Sequence, residues 1–208
     1  MLVGLVHVSS RKEIFQVSGG SPGESTLGRA AFLPYAGNVI SFLRFLGVAN
    51  AAVWFGAAIF VTFFGGPVFF SDRMIHALSD QRYYAGAAAQ IFLSRYFLLH
   101  YVCGALAATH LLAEWLYLGR RLTRFTLGLL TVLLGLTLLG GFWMQPKLHD
   151  LHQTMYLNPQ AEAKASATQT FRIWHGVSQA ANLLVTIGLL VYFWRLTHPR
   201  RLRDVSEL

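Results

Sequence analysis

Several histidines in this sequence have the type and spacing of metal ligands. His149 and His152 stand three residues apart and would lie on one face of a helix. Neutral imidazole binds zinc, copper and haem iron. With His76 and His175, which stand near the ends of apolar segments, these residues are candidate ligands of a transition metal. The alternative interpretation is that they face lipid headgroups and water.

Haem offers a second kind of metal chemistry. A four-helix membrane bundle can hold a b-type haem between axial histidines on facing helices. The candidate axial ligands are His100, His110 and His175. No pairing is well matched in depth, because His100 is predicted near mid-membrane, His110 deeper and His175 at the outer face. Haem b and a transition metal are both candidate cofactors.

A stripe of polar residues follows the last apolar segment. His175, Gln179, Asn182 and Thr186 recur at spacings of four, three and four, which places them on one helical face. In the second apolar segment, the intramembrane polar residues His110 and Glu114 also share a face. Polar groups in hydrocarbon either bond to neighbouring helices or mark a functional path. Both interpretations apply to these residues.

The elements that must position these residues are apolar helices. Hydrophobic residues make up 54% of the chain and charged residues 12%, against about 25% charged in ordinary globular proteins. A bilayer span needs about 20 mostly apolar residues. Four segments satisfy this requirement, and the predicted fold is an all-α, four-helix integral membrane bundle. The predicted spans are about 40–64, 85–118, 125–144 and 173–194, with the first ending at Pro67 and the third before Pro146.

Charge and composition predict the organisation outside the spans. Residues 1–37 are rich in Gly, Ser and Pro and are expected to form a flexible tail, ahead of a membrane domain over 38–198 and a basic tail over 199–208. The formal net charge is +8. Because Lys and Arg concentrate beside the spans, we attribute this charge to topology and lipid headgroups, not to nucleic acid. Both termini are predicted to be cytoplasmic, in the cytoplasmic (inner) membrane of a bacterium.

Certain residues carry a family resemblance over about 40–195. The Trp54–Gly56 pair, the Pro67-x-x-Phe70 exit and the later Pro146 resemble the domain-of-unknown-function 4149 family, which is related to transmembrane protein 205. The stretch Trp174-His175-x-x-Ser178 with the later Asn182 resembles another motif of the family, with Trp174 in place of the usual Leu. The family-pattern residues are Trp54, Gly56, Pro67, Pro146, His175, Ser178 and Asn182.

The resemblance implies a four-helix membrane domain without an established activity for most members. Eukaryotic relatives are associated with tolerance to platinum drugs, which suggests export or trafficking. The domain is also distantly similar to the CopD copper-resistance group and to haem-associated membrane oxidases. These links add to the metal and haem interpretations without assigning either to this chain.

No Walker loop, GxSxG elbow or HExxH motif occurs in the sequence, so an enzyme is not the favoured prediction. The first hypothesis is a membrane protein for metal or small-molecule transport or tolerance. The alternatives are a haem-binding electron-transfer or oxidase component and an accessory subunit of a larger membrane complex. The expected partners are the lipid bilayer and either another membrane protein or further copies of this chain.

Overall fold

In the computed structural model, residues 26–79, 81–119 and 123–198 are described, and all regular structure within them is helical. Contacts divide the chain into Met1–Val39 and Ile40–Leu208. Residues 26–39 form the beginning of the first helix, and the packing described below concerns Ile40 onward. The α-helices are α1 (Thr26–Phe60), α2 (Gly66–Phe69), α3 (Asp72–Ala77), α4 (Arg82–Leu118), α5 (Arg124–Leu139), α6 (Gln145–Leu157) and α7 (Ala161–Thr197).

Four helical segments are long and apolar enough to cross a membrane: Val39–Phe69, Arg82–Tyr117, Arg124–Leu157 and Ala161–Thr197. This confirms the four predicted spans. Most large apolar side chains along these segments are exposed on the outside of the bundle. Such a surface suits lipid contact, while the helices satisfy their own backbone groups.

The helices are longer than the sequence predicts. The third span continues past Pro146 into α6, and the fourth begins at Ala161 instead of near residue 173. The segment 145–172, which lies between the third and fourth predicted spans, is therefore mostly helical. Helix α1 begins at Thr26, inside the predicted tail over 1–37, whereas residues 1–25 and 199–208 lie outside the described part of the chain.

Two π-helical segments explain why neither proline ends its helix. Val61–Gly65 precedes Pro67, and Gly140–Met144 precedes Pro146. In these wider turns the N–H of Gly66 bonds to the carbonyl of Val61, five residues back. A proline lacks an N–H and crowds the carbonyl four residues back. Because the preceding turn is already wide, the chain accommodates the ring and continues into α2 or α6.

The register between α4 and the α5–α6 span is fixed by close contacts at glycines. Gly104 lies against Leu134, Gly140 against Phe97, and Gly86 against His152. The two helical segments run antiparallel, and the three contacts share one register along their length. That register places His100 on α4 level with Thr137 on α5.

A buried apolar cluster fills the half of the bundle nearest the connection between α4 and α5. Its largest fully buried side chains are Trp54, Leu133, Leu189 and Tyr192. Leu111 and Leu130 belong to the same cluster. One half of the bundle is thus tightly packed, and the other half holds the candidate site.

Candidate functional site

A cavity of about 490 Å³ occupies the less tightly packed half of the bundle. Both π-helical segments contribute to its wall, together with α4, α6 and α7. Along α4 the lining runs from Gly86 to His100, which corresponds to about 21 Å at roughly 1.5 Å per residue. The cavity is therefore elongated along the bundle axis. Its lining is mainly apolar and aromatic, and includes Phe63, Phe69, Phe92, Tyr96, Phe97 and Phe171.

His100 and Thr137 form the deep end of the cavity, which we call the floor. Each is only 2% exposed. The indole Nε1 of Trp54 donates a hydrogen bond of 2.9 Å to Nδ1 of His100. Because the indole N–H can only donate, Nδ1 must act as the acceptor, and a neutral His100 carries its proton on Nε2. The ring of Tyr96 packs edge-on against His100 at 4.2 Å and helps to hold its orientation.

Three buried polar atoms in the cavity lining have no hydrogen-bond partner among the described residues. They are Nε2 of His100, Oγ1 of Thr137 and Oε1 of Gln90. Thr137 contrasts with Thr62 and Thr186, whose hydroxyls donate to the carbonyl four residues back. A buried polar group without a partner costs roughly 1–3 kcal/mol. The presence of three such residues in the lining of one cavity indicates a place where a bound molecule or water completes the hydrogen bonding.

Asn182 joins three parts of the bundle beside the cavity. Its Oδ1 accepts from the hydroxyl of Tyr96 at 2.9 Å, and its Nδ2 donates to Oγ1 of Thr62 at 2.7 Å. Thr186 in turn donates to the backbone carbonyl of Asn182. This part of the predicted polar stripe therefore holds helices together, whereas Ser178 and Gln179 line the cavity.

The opposite end of the cavity, formed by Gly86, His152, Phe171 and His175, is called the mouth. His152 is 5% exposed and stacks on Tyr83, with ring centroids 5.5 Å apart. Gly86 lies directly against the imidazole of His152, with no room for a Cβ. His175 stacks on Phe171 at 5.5 Å.

The cavity also opens sideways, towards the surface that would face lipid. Phe63, His175 and Gln179 line the cavity and are themselves exposed. Phe63 belongs to the π-helical segment after α1, and the other two belong to α7. The opening therefore lies between these helices, on the mouth side of the bond between Asn182 and Thr62.

The candidate metal ligands do not form one site. His149 is exposed and bonds to Gln153 at 3.0 Å, whereas His152 is buried at the mouth. His76 belongs to a different helix, α3. Within residues 26–79, 81–119 and 123–198, no group of three or more His, Cys, Asp and Glu side chains could hold a metal ion.

The candidate haem ligands are engaged in hydrogen bonds. Nε2 of His110 bonds to the carbonyl oxygen of Leu43 at 2.9 Å, outside the cavity, and the side chain of Glu114 lies partly buried one turn further along α4. Nε2 of His175 accepts from the side-chain amide of Gln179 at 3.0 Å. His100 would need its proton on Nδ1 to bind iron through Nε2, and that proton would face the N–H of Trp54. The contacts of these three histidines favour a hydrogen-bonding role over axial ligation of haem iron.

The family-pattern residues serve different purposes. Trp54 is fully buried, whereas Gly56 is exposed and a Cβ added there would meet nothing within 4 Å. Three others, His175, Ser178 and Asn182, line the cavity. Gln90 and Thr137 are not among the residues predicted from the sequence. The only sequence signal for either is a polar residue within an apolar segment.

Comparison with known proteins gives one family match. The model of the family described as "Domain of unknown function (DUF4149)" matches residues 50–157, just over half of the chain. No curated protein and no solved structure shows significant similarity to the chain.

Proposed function

Since this chain belongs to the DUF4149 family, whose description names no activity, we propose a function from the cavity: the protein binds a small lipophilic molecule within the membrane. Binding of such a molecule would serve small-molecule transport or tolerance. The resemblance to transmembrane protein 205, whose relatives are associated with drug tolerance, is in line with this role.

The observation that carries the proposal is that three residues lining one elongated apolar cavity each have a buried polar atom without a hydrogen-bond partner among the described residues. Ligand cavities of about 300–1,000 Å³ are typically apolar, with a few polar groups that orient the ligand. The sideways opening between α7 and the segment after α1 adds a route from the bilayer. A lipophilic molecule could reach the floor without crossing water.

We place both termini in the cytoplasm, from the distribution of Lys and Arg beside the spans. The mouth then opens towards the outer half of the membrane, and the buried apolar cluster closes the cytoplasmic half. In this arrangement the ligand is received from the outer leaflet. Passage further inward would require Trp54, Leu133 and their neighbours to separate.

A pair of neighbouring alanines provides the test. Ala181 lines the cavity, whereas the adjacent Ala180 is exposed and is not part of the lining. We expect the wild type and Ala180→Phe, in lipid nanodiscs, to bind at least one of decylbenzene, decanoic acid and a decyl-substituted benzoquinone. Ala181→Phe should bind none of them. Equal binding by both variants, or no binding by the wild type, would overturn the proposal.

The haem and transition-metal functions have less support, because each candidate haem histidine already has one ring nitrogen in a hydrogen bond and the described residues contain no group of three or more metal-ligating side chains. An absorption spectrum with metal analysis of detergent-purified protein distinguishes the alternatives. A Soret band that depends on His100 would favour haem over the lipophilic ligand proposed here.

A further inference from the structure

The chemistry of the cavity floor restricts the kind of ligand that fits. Trp54 leaves His100 with its proton on Nε2, and this atom is buried in the cavity lining without a partner among the described residues. The floor therefore offers a hydrogen-bond donor. A ligand that reaches it needs an acceptor atom, such as an oxygen.

Thr137 supplies a second hydrogen-bonding group at the same depth. Its hydroxyl has no bond to the helix, and the register of α4 against α5 places it level with His100. An oxygen with two lone pairs can accept from both donors. The part of the cavity lining that the structure describes includes no Lys or Arg. Since an uncompensated carboxylate is costly at this depth, a neutral carbonyl suits the floor best.

The walls near the floor are aromatic. Tyr96 and Phe97 lie beside His100 on α4, with their ring centroids 5.7 Å apart, and Phe92 lines the cavity one turn further towards the mouth. Flat rings pack favourably against aromatic side chains in stacked or edge-on arrangements. Beyond this region the cavity continues to the mouth, which leaves space for an apolar tail.

From these features we propose that the ligand is a planar lipophilic carbonyl compound of the quinone class, bound with one carbonyl oxygen at His100 and Thr137. The inference rests on the proposed function and specifies its ligand. The ring lies among Tyr96, Phe97 and Phe92, and the tail extends towards the mouth or the sideways opening.

The experiment compares three probes with the same decyl chain in quinone-free nanodiscs. Decyl-substituted benzoquinone carries ring and carbonyls, decylbenzene lacks the carbonyls, and decanoic acid lacks the ring. We expect the quinone to bind wild-type protein at least about tenfold more tightly than decylbenzene, because a buried hydrogen-bond donor gains an acceptor only in the quinone complex.

Substitutions at the floor identify the contact. Thr137→Val should weaken quinone binding about tenfold and leave decylbenzene binding unchanged, since only the carbonyl contact is lost. Thr131→Val is the matched control on the same helix, because the hydroxyl of Thr131 is exposed and bonds to the carbonyl of Leu127. His100→Phe should act like Thr137→Val, and the threonine variant keeps the test valid if His100→Phe fails to fold.

The two proposals fail in different ways. The quinone assignment would be overturned by equal affinity of the wild type for quinone and decylbenzene, or by unchanged quinone binding in Thr137→Val. It would also be overturned if decanoic acid bound more tightly than the quinone and if that binding depended on Thr137. In each of these cases Ala181→Phe could still abolish binding and support the proposed function. If Ala181→Phe binds every probe as the wild type does, the cavity itself is not the site.

Discussion

The indole N–H of Trp54 donates to Nδ1 of His100 across 2.9 Å, and this bond determines what His100 can offer the cavity. An imidazole whose Nδ1 is an acceptor presents an N–H at Nε2, not a lone pair. A metal ligand needs the lone pair, whereas a carbonyl-bearing ligand needs the N–H. The same histidine that suggests haem in the sequence thus becomes a donor in the folded chain.

Thr137→Val should stabilise the ligand-free protein and weaken the quinone complex. Its buried hydroxyl has no partner among the described residues, so the near-isosteric valine removes a cost of about 1 kcal/mol. Thermal unfolding in detergent, with and without decyl-substituted benzoquinone, measures both effects. Thr131→Val should change neither quantity appreciably. A lower unfolding temperature for ligand-free Thr137→Val would show that the hydroxyl serves the packing of the fold.

Asn182→Ala should destabilise the bundle, because Asn182 bonds to both Tyr96 and Thr62. Interhelical hydrogen bonds in membranes contribute about 0.6–2 kcal/mol each, so we expect the loss of two bonds to lower the free energy of unfolding by about 1–4 kcal/mol. Reversible unfolding in mixed detergent micelles measures this loss. Gln153→Ala is the control, since Gln153 is exposed and bonds to His149 within α6. Equal stability of the two variants would contradict the bridging role.

Gly86→Ala should disturb the mouth. The new methyl group would collide with the imidazole of His152, which is 5% exposed and stacked on Tyr83, and overpacking of this kind costs about 1–3 kcal/mol. We expect lower thermal stability and faster release of bound quinone in stopped-flow measurements. Gly176→Ala should behave like wild type, because a Cβ there meets nothing within 4 Å. Identical release rates for both variants would argue against the contact between α4 and α6 as a boundary of the mouth.

The proposed topology predicts which positions react from outside the cell. Cys103 is the single cysteine and is 3% exposed, so labelling of the wild type should be weak. A membrane-impermeant maleimide should modify Gln153→Cys in intact cells, and His198→Cys only after the membrane is opened. Both native side chains are exposed. The reverse pattern would invert the topology and turn the mouth towards the cytoplasm.

The four spans could be predicted because length and hydropathy alone define them. Their ends could not, since the effect of Pro67 and Pro146 depends on the wide turn that precedes each. A proline considered without the turn before it predicts the end of a helix. The π-helical segments have no clear sequence signal, and so the predicted third span stops before α6.

The candidate site was predicted only in part. His100, His152 and His175 were chosen for their chemistry, and all three line the cavity. Their roles depend on partners distant in sequence, such as Trp54, which lies 46 residues before His100. Thr137 stands in an apolar run, and only the register against α4 places it beside the floor. Residue types therefore indicate which side chains contribute to the site, whereas packing determines whether His100 acts as a metal ligand or as a hydrogen-bond donor.

The position of the proton on His100 tests the central claim most directly. Nitrogen-15 NMR of histidine-labelled protein in nanodiscs distinguishes the two tautomers, and Trp54→Phe identifies His100 by removing the donor to Nδ1. We predict a proton on Nε2 of His100 in the wild type. Its resonance should shift on addition of decyl-substituted benzoquinone and stay unchanged with decylbenzene. A proton on Nδ1, or an Nε2–H resonance that the quinone does not move, would contradict the account.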